Sequence, residues 1–120
     1  MKDLKIGEIE YRFMCIVWEN EPLSSRALAE LCADKLGWKK STSYSTLKKL
    51  SEKGLLQNID SQVNSLVSRE ELQSYRSEKF MENTFAGSLP CFLTAFLGGK
   101  KISQKEADSL KKLIDLYRED

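Results

Sequence analysis

The fold of this 120-residue chain is limited most by its punctuation. Pro22, Gly37, Gly54, the Asp60-Ser61 pair, Gly87 and the Gly98-Gly99 pair cut it into short segments, most with apolar residues at helical spacing. Proline disfavours a helical residue before it, and glycine adopts the left-handed conformation that ends a helix. Ile6, Ile9, Phe13, Ile16 and Val17 form one stripe and predict a first helix over 6–19. Ser24 has the chemistry and place to cap a second helix over 25–36, with Leu28, Leu31 and Cys32 facing inward and Gly37 as its stop. A third helix over 41–53 ends at Gly54 and turns Ser43, Leu47 and Leu50 inward.

After Gly54 the pattern changes. "LLQNID" and "QVNSLV" are short, partly alternating runs about Asp60-Ser61, which predicts a hairpin. Three helices followed by a hairpin make a winged helix-turn-helix, in which the third helix enters the major groove. Beyond it, Ser68 and Glu71 form a capping box, with Leu72, Tyr75, Phe80 and Thr84 along the helix that follows. Gly87 breaks that helix, Ser88 and Pro90 start another, and Ser103 with Glu106 starts the last. The expected fold is mainly α with a small β-hairpin: a winged helix over 1–67, then three helices over 68–120. Three such helices are too few to bury their own apolar faces. A second copy would cover them, through Phe85, Leu89, Phe92, Leu93, Phe96, Leu110, Leu113, Ile114 and Tyr117. Folding back onto the winged domain as a monomer stays open.

Composition excludes more than it selects. Histidine is absent, which removes the commonest general base and zinc ligand together with every Ser-His or Cys-His pairing. There is no GxGxxG, P-loop or GxSxG motif, so no enzyme and no cofactor is expected. Cys15, Cys32 and Cys91 stand far apart, as suits reduced thiols packed as small hydrophobes, and no metal site is expected. No apolar run reaches the ~20 residues of a membrane span. The first thirteen residues lack a signal peptide's apolar core, so membrane insertion is not expected and the cytoplasm is the expected compartment.

Net charge is only +1, but it is unevenly placed. Between Trp38 and Lys53, five lysines (Lys39, Lys40, Lys48, Lys49, Lys53) face one acid, Glu52. On a helical wheel Ser41, Ser45, Lys48, Lys49 and Glu52 share the outer side of the third helix, with Thr42 at its edge. Small hydroxylated residues let a helix approach a surface closely, and hydroxyls and ammonium groups can meet phosphates and base edges. A merely solvated helix face is the other reading of such a cluster.

The order of elements resembles the penicillinase-repressor family, winged-helix dimers that repress antibiotic-resistance or metal-homeostasis genes. The likeness is carried by "IGEIEYRFMCIVWENEPLSSRALAE", "GWKKSTSYSTLKKLSEKGLL", "LVSREE" and "FAGSLPCFL", and includes a tryptophan near the end of the first helix (Trp18) and another before the third (Trp38). The resemblance implies a homodimeric repressor on a palindromic, double-stranded operator. It also implies operator contacts at Ser41, Thr42, Ser45 and Lys49, with Lys40 and Lys48 adding phosphate contacts. Three positions depart from the family pattern. The hairpin carries no Lys or Arg. The CxC motifs of copper-responsive members are missing, and only Cys91 lies in the second half. Antibiotic-responsive members answer to a membrane sensor-protease through cleavage at an Asn-Phe bond, and the corresponding position here is Ala95-Phe96. A winged-helix protein-interaction module with an acidic protein partner is the alternative function.

Overall fold

A computed structural model describes residues 2–119. The chain divides into two compact units, residues 1–79 and 80–120.

The first unit runs α1 (Glu8–Asn20), β1 (Leu23–Ser24), α2 (Ser25–Leu36), α3 (Lys40–Glu52), β2 (Leu56–Ile59), β3 (Gln62–Ser65) and the first part of α4 (Arg69–Phe85). The expected breaks hold. The Ser24 Oγ accepts from the Ala27 N–H at 3.0 Å and caps α2, and Gly37 ends α2 in the left-handed region at φ 68°. Phe13, Val17, Leu28, Leu50, Leu55, Leu56, Val63 and Leu72 fill one core. Each such fully buried side chain contributes roughly 1.5–3 kcal/mol relative to exposure. The expected stripe on α1 needs correction: Ile6 precedes the helix, and Ile9, in the first helical turn, stays 61% exposed, while Met14 is fully buried.

The hairpin is part of a three-stranded antiparallel sheet of order β1-β3-β2. Its third strand, Leu23–Ser24, pairs with Val63 and Gln62 and was not visible as a strand in the sequence. Asp60 and Ser61 turn the hairpin with φ of 52° and 64°, the doubly left-handed geometry of a two-residue loop. The Glu21 carboxylate accepts from the Ser65 N–H at 2.7 Å and the Ser65 hydroxyl at 2.9 Å, tying the end of α1 to the base of the hairpin.

Residues 68–79 are built into this unit. The Ser68 hydroxyl accepts from the Glu71 N–H at 3.0 Å, and Leu72 is fully buried in the core. Trp18 Nε1 donates to the Val67 carbonyl at 2.9 Å, and the Arg69 guanidinium lies 5.2 Å from the Trp18 ring centre. Arg76 stacks 4.4 Å over Tyr11 and reaches Glu8 at 2.8 Å.

The second unit holds the end of α4, α5 (Leu89–Leu97) and α6 (Gln104–Tyr117). Ser88 caps α5 and Ser103 caps α6, as their sequence context predicts, and Gly98 ends α5 at φ 52°. Phe80, Phe85, Phe92 and Phe96 form a run of ring contacts with centres 5.5–6.3 Å apart. No described residue of this unit is buried. No helix among the described residues is long and apolar enough to cross a membrane.

Candidate nucleic-acid interface

α3 is positioned from both of its ends. Trp38, just before it, stacks on Phe13 of α1 with ring centres 5.8 Å apart and planes 14° from parallel. Ser43, Leu47 and Leu50 turn into the core as the wheel predicts. The Cys32 thiol of α2 lies beside Ser43; burial pushes its pKa up although the Ser43 hydroxyl pulls the other way. That thiol is a packing group rather than a reactive one. The C-terminal end of α3 is held by backbone, the Asp3 N–H donating to the Lys53 carbonyl at 2.8 Å.

With its inner side occupied, α3 presents the rest to solvent. Lys40, Ser41, Thr42, Ser45, Lys48 and Lys49, all six of the residues singled out in the sequence, are exposed on one helix. Tyr44 joins them, also exposed. The Ser45 hydroxyl donates back to the Thr42 carbonyl at 3.1 Å, which orients its oxygen while leaving it able to accept. α3 starts without a side-chain cap, because Lys39 stands at the N-cap position, so its positive dipole end is flanked by Lys39 and Lys40.

The lysines are not equivalent, a difference the sequence did not reveal. Lys49 Nζ lies 2.8 Å from Glu10 Oε2 of α1. Lys53 Nζ lies 3.7 Å from Asp3 Oδ2 and also donates to the Lys5 carbonyl. Lys39, Lys40 and Lys48 are exposed and have no ion-pair partner among the described residues. Glu10 is well anchored: its Oε1 accepts from the Gly7 N–H at 2.9 Å, and its side chain is only 17% exposed. Burial alone would raise its pKa, but the Gly7 N–H, the Lys49 ammonium and the Lys53 charge outweigh that and hold it below its ordinary value. No sequence signal links Glu10 to Lys49, because the contact joins residues 39 positions apart in the chain.

The hairpin beside α3 is uncharged on both strands. By its register, Gln57, Ile59, Gln62 and Asn64 share one face, while Leu56, Asn58, Val63 and Ser65 share the other. Neither Lys nor Arg occurs between Gly54 and Ser68, and the turn itself carries exposed Asp60.

Of the residues singled out in the second unit, Phe85, Phe92, Leu93 and Leu110 are half-buried, while Leu89, Phe96, Leu113, Ile114 and Tyr117 are exposed. Leu116, not singled out from the sequence, is 75% exposed beside them. No cluster of three or more potential metal ligands occurs among the described residues.

A family model described as penicillinase repressor matches residues 6–116. The methicillin resistance regulatory protein MecI of Staphylococcus aureus is 23% identical over 118 residues, spanning 95% of this chain and 96% of that protein. The solution structure of the DNA binding domain of the repressor BlaI matches at a TM-score of 0.54 and 17% identity, covering 59% of this chain and 93% of that one. At that identity the likeness speaks for the fold, and it accounts for the winged helix of the first unit. With the family model running over nearly the whole length, the chain belongs to the penicillinase repressor family, a family of transcriptional repressors rather than of enzymes.

Proposed function

We propose that the protein is a homodimeric transcriptional repressor, working in the cytoplasm, that binds a dyad operator with α3 in the major groove of each half-site. The observation that carries this reading is the division of α3: Ser43, Leu47 and Leu50 fill the core, while Lys40, Ser41, Thr42, Ser45 and Lys48 crowd the free side. Lys39, Lys40 and Lys48 meet phosphates, aided by the uncapped start of the helix. Ser41, Thr42 and Ser45 contact base edges, where a good hydrogen-bonded pair discriminates by about 1–3 kcal/mol. Lys49 belongs to the same face but shares its charge with Glu10.

Homodimerism is supported by the second unit, which buries none of its described residues yet exposes Leu89, Phe96, Leu113, Ile114, Leu116 and Tyr117. Apolar patches of this kind mark contact surfaces on soluble proteins. Two chains would also match a two-fold operator, since protein symmetry and site symmetry go together. A membrane sensor-protease acting as inducing partner would have to cut within the last turn of α5, where Ala95 and Phe96 lie.

The hairpin, with no Lys or Arg to meet phosphates, favours a second reading, a winged-helix interaction module whose basic α3 meets an acidic protein. Fluorescence anisotropy separates the two. The repressor reading expects salt-sensitive binding, at two chains per site, to the inverted repeat upstream of the coding region, and far weaker binding to a scrambled duplex. Equal, weak binding to both duplexes would sink it.

A further inference from the structure

We propose that Glu10 is a built-in competitor for Lys49, withholding one positive charge of α3 from the DNA backbone and so suppressing sequence-independent binding. The inference rests on the operator-binding reading and names an affinity-tuning residue that lies outside α3.

The geometry is one-sided. The Lys49 side chain is 59% exposed, on the same face as Lys48 and Ser45, yet its Nζ lies 2.8 Å from Glu10 Oε2. Glu10 cannot follow it outward. Its other oxygen is committed to the Gly7 N–H at 2.9 Å, at the first turn of α1, and its side chain is mostly covered. Lys49 can therefore reach a phosphate only by leaving a largely buried carboxylate without its partner, which is costly. Asp3 acts likewise on Lys53 at 3.7 Å, though more loosely and at the far end of the helix. The segment from Trp38 to Lys53 carries five lysines against Glu52, a net +4, and these two outside acids lower the effective charge to +2.

The consequence falls alike on right and wrong DNA. Sequence-independent affinity comes almost wholly from cation-phosphate contacts, whereas base-edge contacts add only at the right site. Removing a cation from the phosphate set weakens binding everywhere by the same factor. The ratio between right and competing sites stays with the hydroxyls of Ser41, Thr42 and Ser45. The pair thus lowers affinity for all DNA, most at low salt, and leaves discrimination to the base-edge contacts.

Glu10→Gln isolates the charge, because glutamine keeps the volume and an oxygen for the Gly7 N–H. Binding of the full-length protein to the inverted-repeat duplex and to the scrambled duplex is followed by anisotropy between about 50 and 200 mM salt. One released lysine steepens the log-log salt slope by about 0.9 per chain, an extra loss of about 3.5-fold per chain across that range. The variant is expected to bind both duplexes more tightly at the low-salt end, with this steeper dependence. Lys49→Gln alone is expected to flatten the slope much less than Lys48→Gln. In the Glu10→Gln/Lys49→Gln double variant the added steepness should vanish.

Unchanged slope with weaker binding in Glu10→Gln would mean that Glu10 orients Lys49 toward DNA, and the competitor role would be overturned. Steepness that persists in the double variant would overturn it too, since the effect would not pass through Lys49. Should Glu10→Gln fail to fold, the single lysine variants decide: equal flattening by Lys48→Gln and Lys49→Gln overturns the proposal. Native protein that binds neither duplex removes the operator-binding reading itself, and this inference with it. Native binding with Glu10-independent slopes removes the inference alone.

Discussion

Truncating Leu72 to alanine asks how firmly the first turns of α4 belong to the interior of the winged unit. Leu72 is fully buried, and it is the last residue along the described chain to be so. It packs in the cluster that holds Phe13, Val17, Leu50 and Val67. Leucine-to-alanine changes at such sites cost about 2.7–5 kcal/mol, from lost transfer energy plus the cavity left behind. A loss of about 3 kcal/mol is expected here. For a unit of this size the urea dependence is about 1 kcal/mol per molar, so the midpoint should fall by about 3 M. Trp18 and Trp38 both lie in the first unit, so tryptophan fluorescence, excited apart from the tyrosines, reads that unit alone. Leu116→Ala serves as the control: at 75% exposure in the other unit, it should leave the tryptophan transition within about 0.5 kcal/mol. A midpoint shift below about 0.5 M for Leu72→Ala would refute the reasoning, and the winged unit would then end near residue 67.

Ser24→Ala removes the only oxygen capping α2, and should cost about 1 kcal/mol in the same urea titration. Because the folded state holds the Glu10 carboxyl below its ordinary value of 4.5, its stabilisation is complete above that value and is lost as pH falls through the lower folded pKa. Acid titration of native protein should therefore show a loss of stability below about pH 4.5 that Glu10→Gln flattens, and identical acid limbs would contradict this. Phe96→Glu places a charge on an exposed ring of α5; sedimentation velocity should report monomer where native protein reports dimer, with the urea transition of the tryptophans unchanged.

Local chemistry was readable wherever a single residue type decides the backbone. Ser24, Ser88 and Ser103 cap helices because a side-chain oxygen reaches an N–H three residues on, and both the need and the remedy lie within one turn of sequence. Gly37 and Gly98 stop helices for an equally local reason. The inner and outer faces of α3 were legible too, since Ser43, Leu47 and Leu50 repeat at helical spacing. Features that depend on distant partners were not. β1 is two residues long and is a strand only because Val63 and Gln62 pair with it. Lys49 reads like Lys48 on a wheel, and only the packing of α1 against α3 brings Glu10 to one and not the other. Ile9 matched the stripe on α1 yet is left outside the core, because periodicity reports a direction around the helix and not how far along it the neighbours extend.

In the proposed homodimer, the lack of buried residues among those described in the second unit ties its order to how much of the protein is present. Helices that gain an interior only from another copy obey mass action, so their folded fraction rises with total chain concentration. At low abundance the paired form grows as the square of the chain supply, and halving that supply lowers it by about fourfold. A repressor built this way releases its site through dilution as well as through any inducer. Growth without new synthesis would itself be a signal.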